Sequence, residues 1–69
     1  MTSKTIWLNP YIMQTRIIPT GTTLPDGETV TDGPALMITH DDDLTLIMEL
    51  PHETHEFLAA ATELLKEHL

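Results

Sequence analysis

The chain contains no cysteine, and it has only three basic and three aromatic residues in 69 positions. The missing cysteine excludes disulfide bonds and thiolate zinc sites. No apolar run approaches the roughly 20 residues of a membrane-spanning helix, and the amino-terminal apolar run is too short for a secretory signal. We therefore expect a soluble protein in the cytoplasm.

Basic charge is scarce, and acidic charge is concentrated in one part of the chain. Residues 1–25 contain Lys4 and Arg16 and no acid, whereas residues 26–69 contain all eleven acids and only Lys66. The net charge is −8. Because phosphate backbones and anionic lipids carry the same sign, we expect no direct binding to nucleic acid or membrane. The favoured partner is a protein with a basic surface.

The hydrophobic fraction of 41% argues against disorder and predicts one small domain over residues 1–69. Residues 5–8 and 11–18 are rich in β-branched and aromatic side chains, which is typical of strands. Since Pro10 suits the second position of a type I turn, we predict a first strand pair over residues 5–18.

Residues 19–34, "PTGTTLPDGETVTDGP", form a long segment rich in turn signals. Leu24 and Val30 flank its central turn, so a small hairpin inside the segment is compatible with the pattern. Long connections in compact domains are often functional. The sequence leaves the role of this segment open.

Residues 35–50, "ALMITHDDDLTLIMEL", predict a β-hairpin with Asp41–Asp43 as a three-residue turn. This turn places Ile38 opposite Leu46 and produces one continuous apolar face, whereas a two-residue turn would mix the faces. The other expected pairs are His40 with Leu44 and Leu36 with Met48. Three-residue turns usually end with a left-handed residue, a conformation that aspartate tolerates.

Residues 52–68, "HETHEFLAAATELLKEH", change to the period of a helix, and Pro51 suits its first position. Its apolar face contains Phe57, Leu58, Ala61, Leu64 and Leu65. The predicted fold is therefore α+β, a small antiparallel sheet of three to four strands with one carboxy-terminal helix packed on one face.

One helix covers only one face of a sheet, and the other face would carry Met37 and Ile47. A bare apolar face usually marks an interaction surface, so we expect a dimer or partner interface there. The alternative is that residues 19–34 fold over this face.

The Asp41–Asp43 turn resembles the DxDxT signature of haloacid-dehalogenase-type phosphatases through Asp41, Asp43 and Thr45. That family has a glycine where Leu44 stands, and its parallel sheet with crossover helices needs a longer chain. With no cysteine and no glycine-rich phosphate loop, we predict no enzymatic activity and no cofactor.

The run "HETHE" at residues 52–56 differs from the metalloprotease motif HExxH, because Glu56 stands where the second histidine is needed. His52, His55 and Glu56 share one helix face, so a zinc site with a further ligand stays an alternative. The favoured interpretation is a solvated first turn and no metal.

The chain also resembles small accessory proteins that phages and mobile elements of high-GC bacteria encode. The matching residues are Leu50-Pro51, Leu58–Ala61 and Leu64-Leu65. The resemblance implies binding to a host protein, in the cytoplasm of the host cell.

These observations predict a non-enzymatic, acidic protein-interaction module that binds or inhibits a basic host protein. The alternatives are a homo-oligomeric accessory subunit and a small metal-binding protein. Trp7 and Tyr11 are aromatic residues that serve either as partner anchors or as core. The predicted partner-binding residues are Asp41, Asp42, Asp43, Glu49, Glu53, Glu56, Trp7, Met37 and Ile47.

Overall fold

A computed structural model of the chain describes residues 2–69 and contains a three-stranded antiparallel sheet followed by one helix. The strands follow one another across the sheet in chain order. A 3₁₀ turn, Pro10–Ile12, precedes the first strand. The elements are β1 (Met13–Ile18), β2 (Ala35–His40), β3 (Leu44–Met48) and α1 (Pro51–Lys66). The predicted α+β fold is confirmed.

The hairpin between β2 and β3 has the predicted three-residue turn and register. Ile38 lies opposite Leu46, and the neighbouring pairs are Leu36 with Met48 and His40 with Leu44. The residue with a left-handed backbone is Asp41, with φ 55°, and it begins the turn. The prediction that the left-handed residue would end the turn was therefore wrong. The alternation of apolar residues therefore predicted the register of the hairpin. It did not predict which residue of the turn has the left-handed conformation.

The predicted strand at residues 5–8 was wrong, and so was the strand pair over residues 5–18. Residues 5–8 have no regular structure, and β1 pairs with β2 instead. Asn9 explains the difference, because its side-chain oxygen accepts the Tyr11 N–H at 3.0 Å and begins the 3₁₀ turn. Pro10 occupies the first position of that turn, so the chain does not fold back as a hairpin.

Residues 19–34 contain the small hairpin that the sequence allowed. Thr23 and Thr29 form an isolated antiparallel bridge, and the Leu24 N–H donates to the Glu28 carbonyl at 2.7 Å. The turn between them uses Gly27 at φ 94°, a conformation that few other residues adopt. The Val30 N–H donates to the Thr22 carbonyl at 2.9 Å.

This loop packs over part of the sheet face that the helix does not cover, which is the alternative that the sequence left open. The buried hydrophobic residues are Ile18, Val30 and Ala35, which are 5%, 2% and 0% exposed. Leu24, Met37 and Ile47 pack against them and are partly buried. Val30 belongs to the loop, so the loop supplies part of the core.

The helix α1 begins at Pro51, as predicted, and lies on the face of Leu36 and Met48. Its first two turns form one wall of an apolar groove of about 220 Å³. The groove is lined by Ile17, Pro34, Leu36, Met48, Pro51, Thr54, His55 and Leu58. Thr54 is the only buried residue of α1. Of the apolar face predicted to pack on the sheet, Leu58 lines this groove, whereas Phe57, Leu64 and Leu65 are about 60% exposed, so most of that prediction was wrong.

Candidate protein-binding site

Hydrogen bonds fasten the Asp41–Asp43 turn to the chain before β1. The Asp41 N–H donates to the Ile12 carbonyl at 2.9 Å. The Asn9 N–H donates to Nε2 of His40 at 2.9 Å. Because Nε2 accepts this bond, the ring proton lies on Nδ1, which is 4.0 Å from Oδ1 of Asp43. The turn and the 3₁₀ turn therefore hold a fixed position relative to each other.

An open cleft of about 520 Å³ lies where these two turns meet. Its lining residues come from the 3₁₀ turn, from all three strands and from the acidic turn. They are Tyr11, Ile12, Met13, Gln14, Thr39, Asp41, Asp42, Leu44 and Thr45. Tyr11 is 98% exposed. The cleft thus brings together an exposed tyrosine, two aspartates and a lining that is mostly polar.

The carboxylates at this cleft have no basic side chain beside them. Within residues 2–69, the one ion pair that involves no histidine is Lys66 with Glu63 at 3.5 Å, and the ring of His40 lies 4.0 Å from the Asp43 carboxylate. Asp41 and Asp42 take part in neither. Carboxylates together with the face of an aromatic ring suit the cationic head of lysine or arginine.

Glu49, a predicted partner-binding residue, is placed elsewhere and fastens the long loop. Its Oε2 accepts the N–H groups of Thr31 at 2.9 Å and Asp32 at 3.0 Å. These bonds, that from Asp32 first, hold the pKa of Glu49 below its ordinary value. The Leu50 N–H also donates to the Asp32 carbonyl at 2.8 Å. One carboxylate oxygen of Glu49 therefore stabilises the long loop.

The structure places the other predicted residues in separate regions. Glu53 and Glu56 are exposed on the first turns of α1, and Trp7 is 88% exposed before the 3₁₀ turn. Met37 and Ile47 line a groove of about 440 Å³ beneath the long loop. Asp41 and Asp42 are thus the two predicted residues that share the cleft.

Tyr11 is part of the site because residues far apart in the sequence, Ile12 and Asp41, are joined by a hydrogen bond. The sequence identified it as an aromatic residue with two equally open roles. Its place beside Asp41 depends on the hydrogen bond between the acidic turn and Ile12. An exposed aromatic residue in a proline turn was the available signal.

Among residues 2–69, no three histidine or acidic side chains converge as metal ligands. No helix in the same range is long and apolar enough to cross a bilayer. No family model matches the chain, and no curated protein and no solved structure resembles it significantly.

Proposed function

We propose that the protein is a non-enzymatic, acidic interaction module that binds a basic surface of another protein and thereby inhibits it. The observation that carries the proposal is the cleft where Tyr11, Asp41 and Asp42 meet. An accessory protein of a phage or mobile element acting on a host protein is the biological setting that fits this proposal.

Long-range charge supports association with such a partner. The eleven acids give the chain a net charge of −8, and the acidic turn forms one tip of the sheet. A field of one sign accelerates the approach of a partner of the opposite sign. The association rate is therefore expected to fall as salt screens this field.

Short-range chemistry at the cleft supports recognition of a long cationic side chain. Ile12 and Leu44 are apolar residues of the lining on which an aliphatic stem can pack, and Asp41, Asp42 and Tyr11 of the same cleft are available to a charged head. Arginine fits this arrangement best, because its planar head pairs with carboxylates and stacks on aromatic rings.

The test begins with capture of partners from an extract of the native cell and purification of the captured protein. The double variant Asp41→Asn/Asp42→Asn removes two charges from the cleft, and Glu53→Gln/Glu56→Gln removes two from α1. We expect the cleft variant to weaken binding at least tenfold, since two charge-assisted contacts are lost, and the control by less than about threefold. Equal losses in both variants, or binding that is insensitive to salt, would contradict the proposal.

A further inference from the structure

The chain exposes more surface than a folded domain of its size. Its accessible surface is 6037 Å², against about 4,300 Å² for a monomer of this mass. The radius of gyration is 13.7 Å, against about 11 Å for a domain of this length. The surplus of about 1,700 Å² exceeds the about 800 Å² that each partner buries in a standard interface.

The segment before β1 contributes to this surplus, and α1 contributes a second set of exposed apolar side chains. Phe57, Leu64 and Leu65 are 60%, 63% and 62% exposed, and Ala61 between them is half-buried. At about 100° per residue these four residues lie within an arc of about 100°. We call this set the α1 stripe.

We propose that the α1 stripe of a second copy covers this stripe, so that two α1 helices pair antiparallel and cross at Ala61. The small side chain at the centre allows the helix axes to approach closely. In this arrangement Phe57 of one copy contacts Leu65 of the other. Antiparallel pairing also sets the helix dipoles head to tail, which is favourable.

The acids of α1 do not prevent this pairing. Glu53, in the first turn, is exposed and lies near the edge of the stripe, about 70° from its centre. Glu56, Glu63 and Glu67 are exposed and lie about 110° to 150° around the helix from the centre. They therefore point away from a second copy that covers the stripe. The pairing is apolar in its contacts, and the like charges of the two copies oppose it only from a distance.

The α1 stripe is separate from the cleft that contains Tyr11, Asp41 and Asp42, which we call the cation cleft. The acidic turn lies at the Leu44 end of β3, and α1 begins after the Met48 end. The pairing therefore does not depend on the proposed function, and a dimer would present two cation clefts. Added salt should strengthen the pairing by screening the repulsion between copies, whereas it should weaken binding at the cleft.

Sedimentation equilibrium over a range of protein concentrations tests the pairing. We expect a species of twice the 7.7 kDa chain mass, with tighter association at high salt. Leu64→Asn should weaken association at least tenfold. Glu63→Asn, the adjacent exposed position with the same new side chain, should leave it unchanged or tighter. A monomer at all concentrations, or equal effects of the two variants, would overturn the proposal.

Cross-linking tests the antiparallel geometry, because the native chain has no cysteine. Ala61→Cys should form a disulfide-linked dimer on mild oxidation, and Phe57→Cys alone should not. A mixture of Phe57→Cys and Leu65→Cys chains should cross-link to each other. Efficient self-linking of Phe57→Cys would show parallel helices and refute the proposed geometry. Circular dichroism of each variant checks that the fold is retained.

Discussion

The loop-covered side of the sheet and the helix α1 use apolar residues in opposite ways. On the loop-covered side, Ile18, Val30 and Ala35 are all at most 5% exposed. On α1 the buried residue is Thr54, and the large apolar side chains remain exposed. The irregular segment therefore contributes Val30 to the core beside Ile18 and Ala35 of the strands, while the most regular element presents apolar surface to the solvent. Regular secondary structure and contribution to the core are separate properties in this molecule.

The largest expected effect is at Val30, which is 2% exposed. Val30→Ala should lower the free energy of unfolding by about 2 kcal/mol, because it removes buried methyl groups and leaves a cavity. Urea denaturation of dilute protein, where the single chain predominates, measures this change.

Leu64→Ala is the matched control, since Leu64 is 63% exposed although its side chain is larger. It should change the unfolding free energy of the dilute protein by less than about 0.5 kcal/mol. A larger loss at Leu64 than at Val30 would remove the contrast between the two regions.

An intermediate effect is expected at Thr54, which joins α1 to the chain before it. Its hydroxyl donates to the Glu49 carbonyl at 2.7 Å in a partly buried position. Thr54→Val keeps the shape and removes this bond, which should cost about 1 kcal/mol of stability in thermal or urea unfolding.

Thr62 provides the control, because its hydroxyl donates to the Leu58 carbonyl at 2.8 Å on the exposed part of α1. Thr62→Val should change stability by less than about 0.5 kcal/mol. Equal losses of stability in Thr54→Val and Thr62→Val would show that the first turn of α1 is not held more firmly than the later turns.

The smallest effect is expected at Glu49, which is exposed but holds two loop N–H groups. Its pKa is lowered in the folded protein, so its stabilising contribution is present above the ordinary glutamate value of about 4.3 and is lost as the pH falls through the lowered value. Glu49→Gln should therefore be less stable than the native chain at pH 7, and the difference should vanish in acid.

Melting temperatures of both proteins at pH 7 and at about pH 3 measure this difference. A difference that persists unchanged in acid would show that the negative charge of Glu49 does not fasten the loop. Asp26→Asn is the control, because its carboxylate accepts one N–H, that of Glu28, within the small hairpin.

The sequence predicted the elements whose patterns are local. Alternation favoured Ile38 opposite Leu46, because a two-residue turn would have put apolar residues on both faces. The helical period and Pro51 placed α1 to within two residues of its observed end at Lys66. Both predictions used neighbouring residues only.

The sequence analysis missed one local contact, that of Asn9 with Tyr11, and two features that depend on contacts between distant residues. Residues 5–8 have strand composition, but a side-chain bond from Asn9 to Tyr11 directs the chain into a 3₁₀ turn. The covering of Met37 and Ile47 depends on Val30, which is brought over the sheet by a loop of mixed composition. The candidate cleft likewise depends on the hydrogen bonds of Asp41 with Ile12 and of Asn9 with His40.

β2 pairs with β1 and with β3, but β3 is close to it along the chain and β1 is far from it. This difference has a consequence for the order of folding. β3 joins β2 after a three-residue turn, whereas β1 must close the segment 19–34 first, at a higher loop-closure entropy. We expect the β2–β3 hairpin to form early and β1 to be the first strand to detach during partial opening. The chain segment that carries Tyr11 would then leave with β1, so partial opening would dismantle the cation cleft while the hairpin still persists.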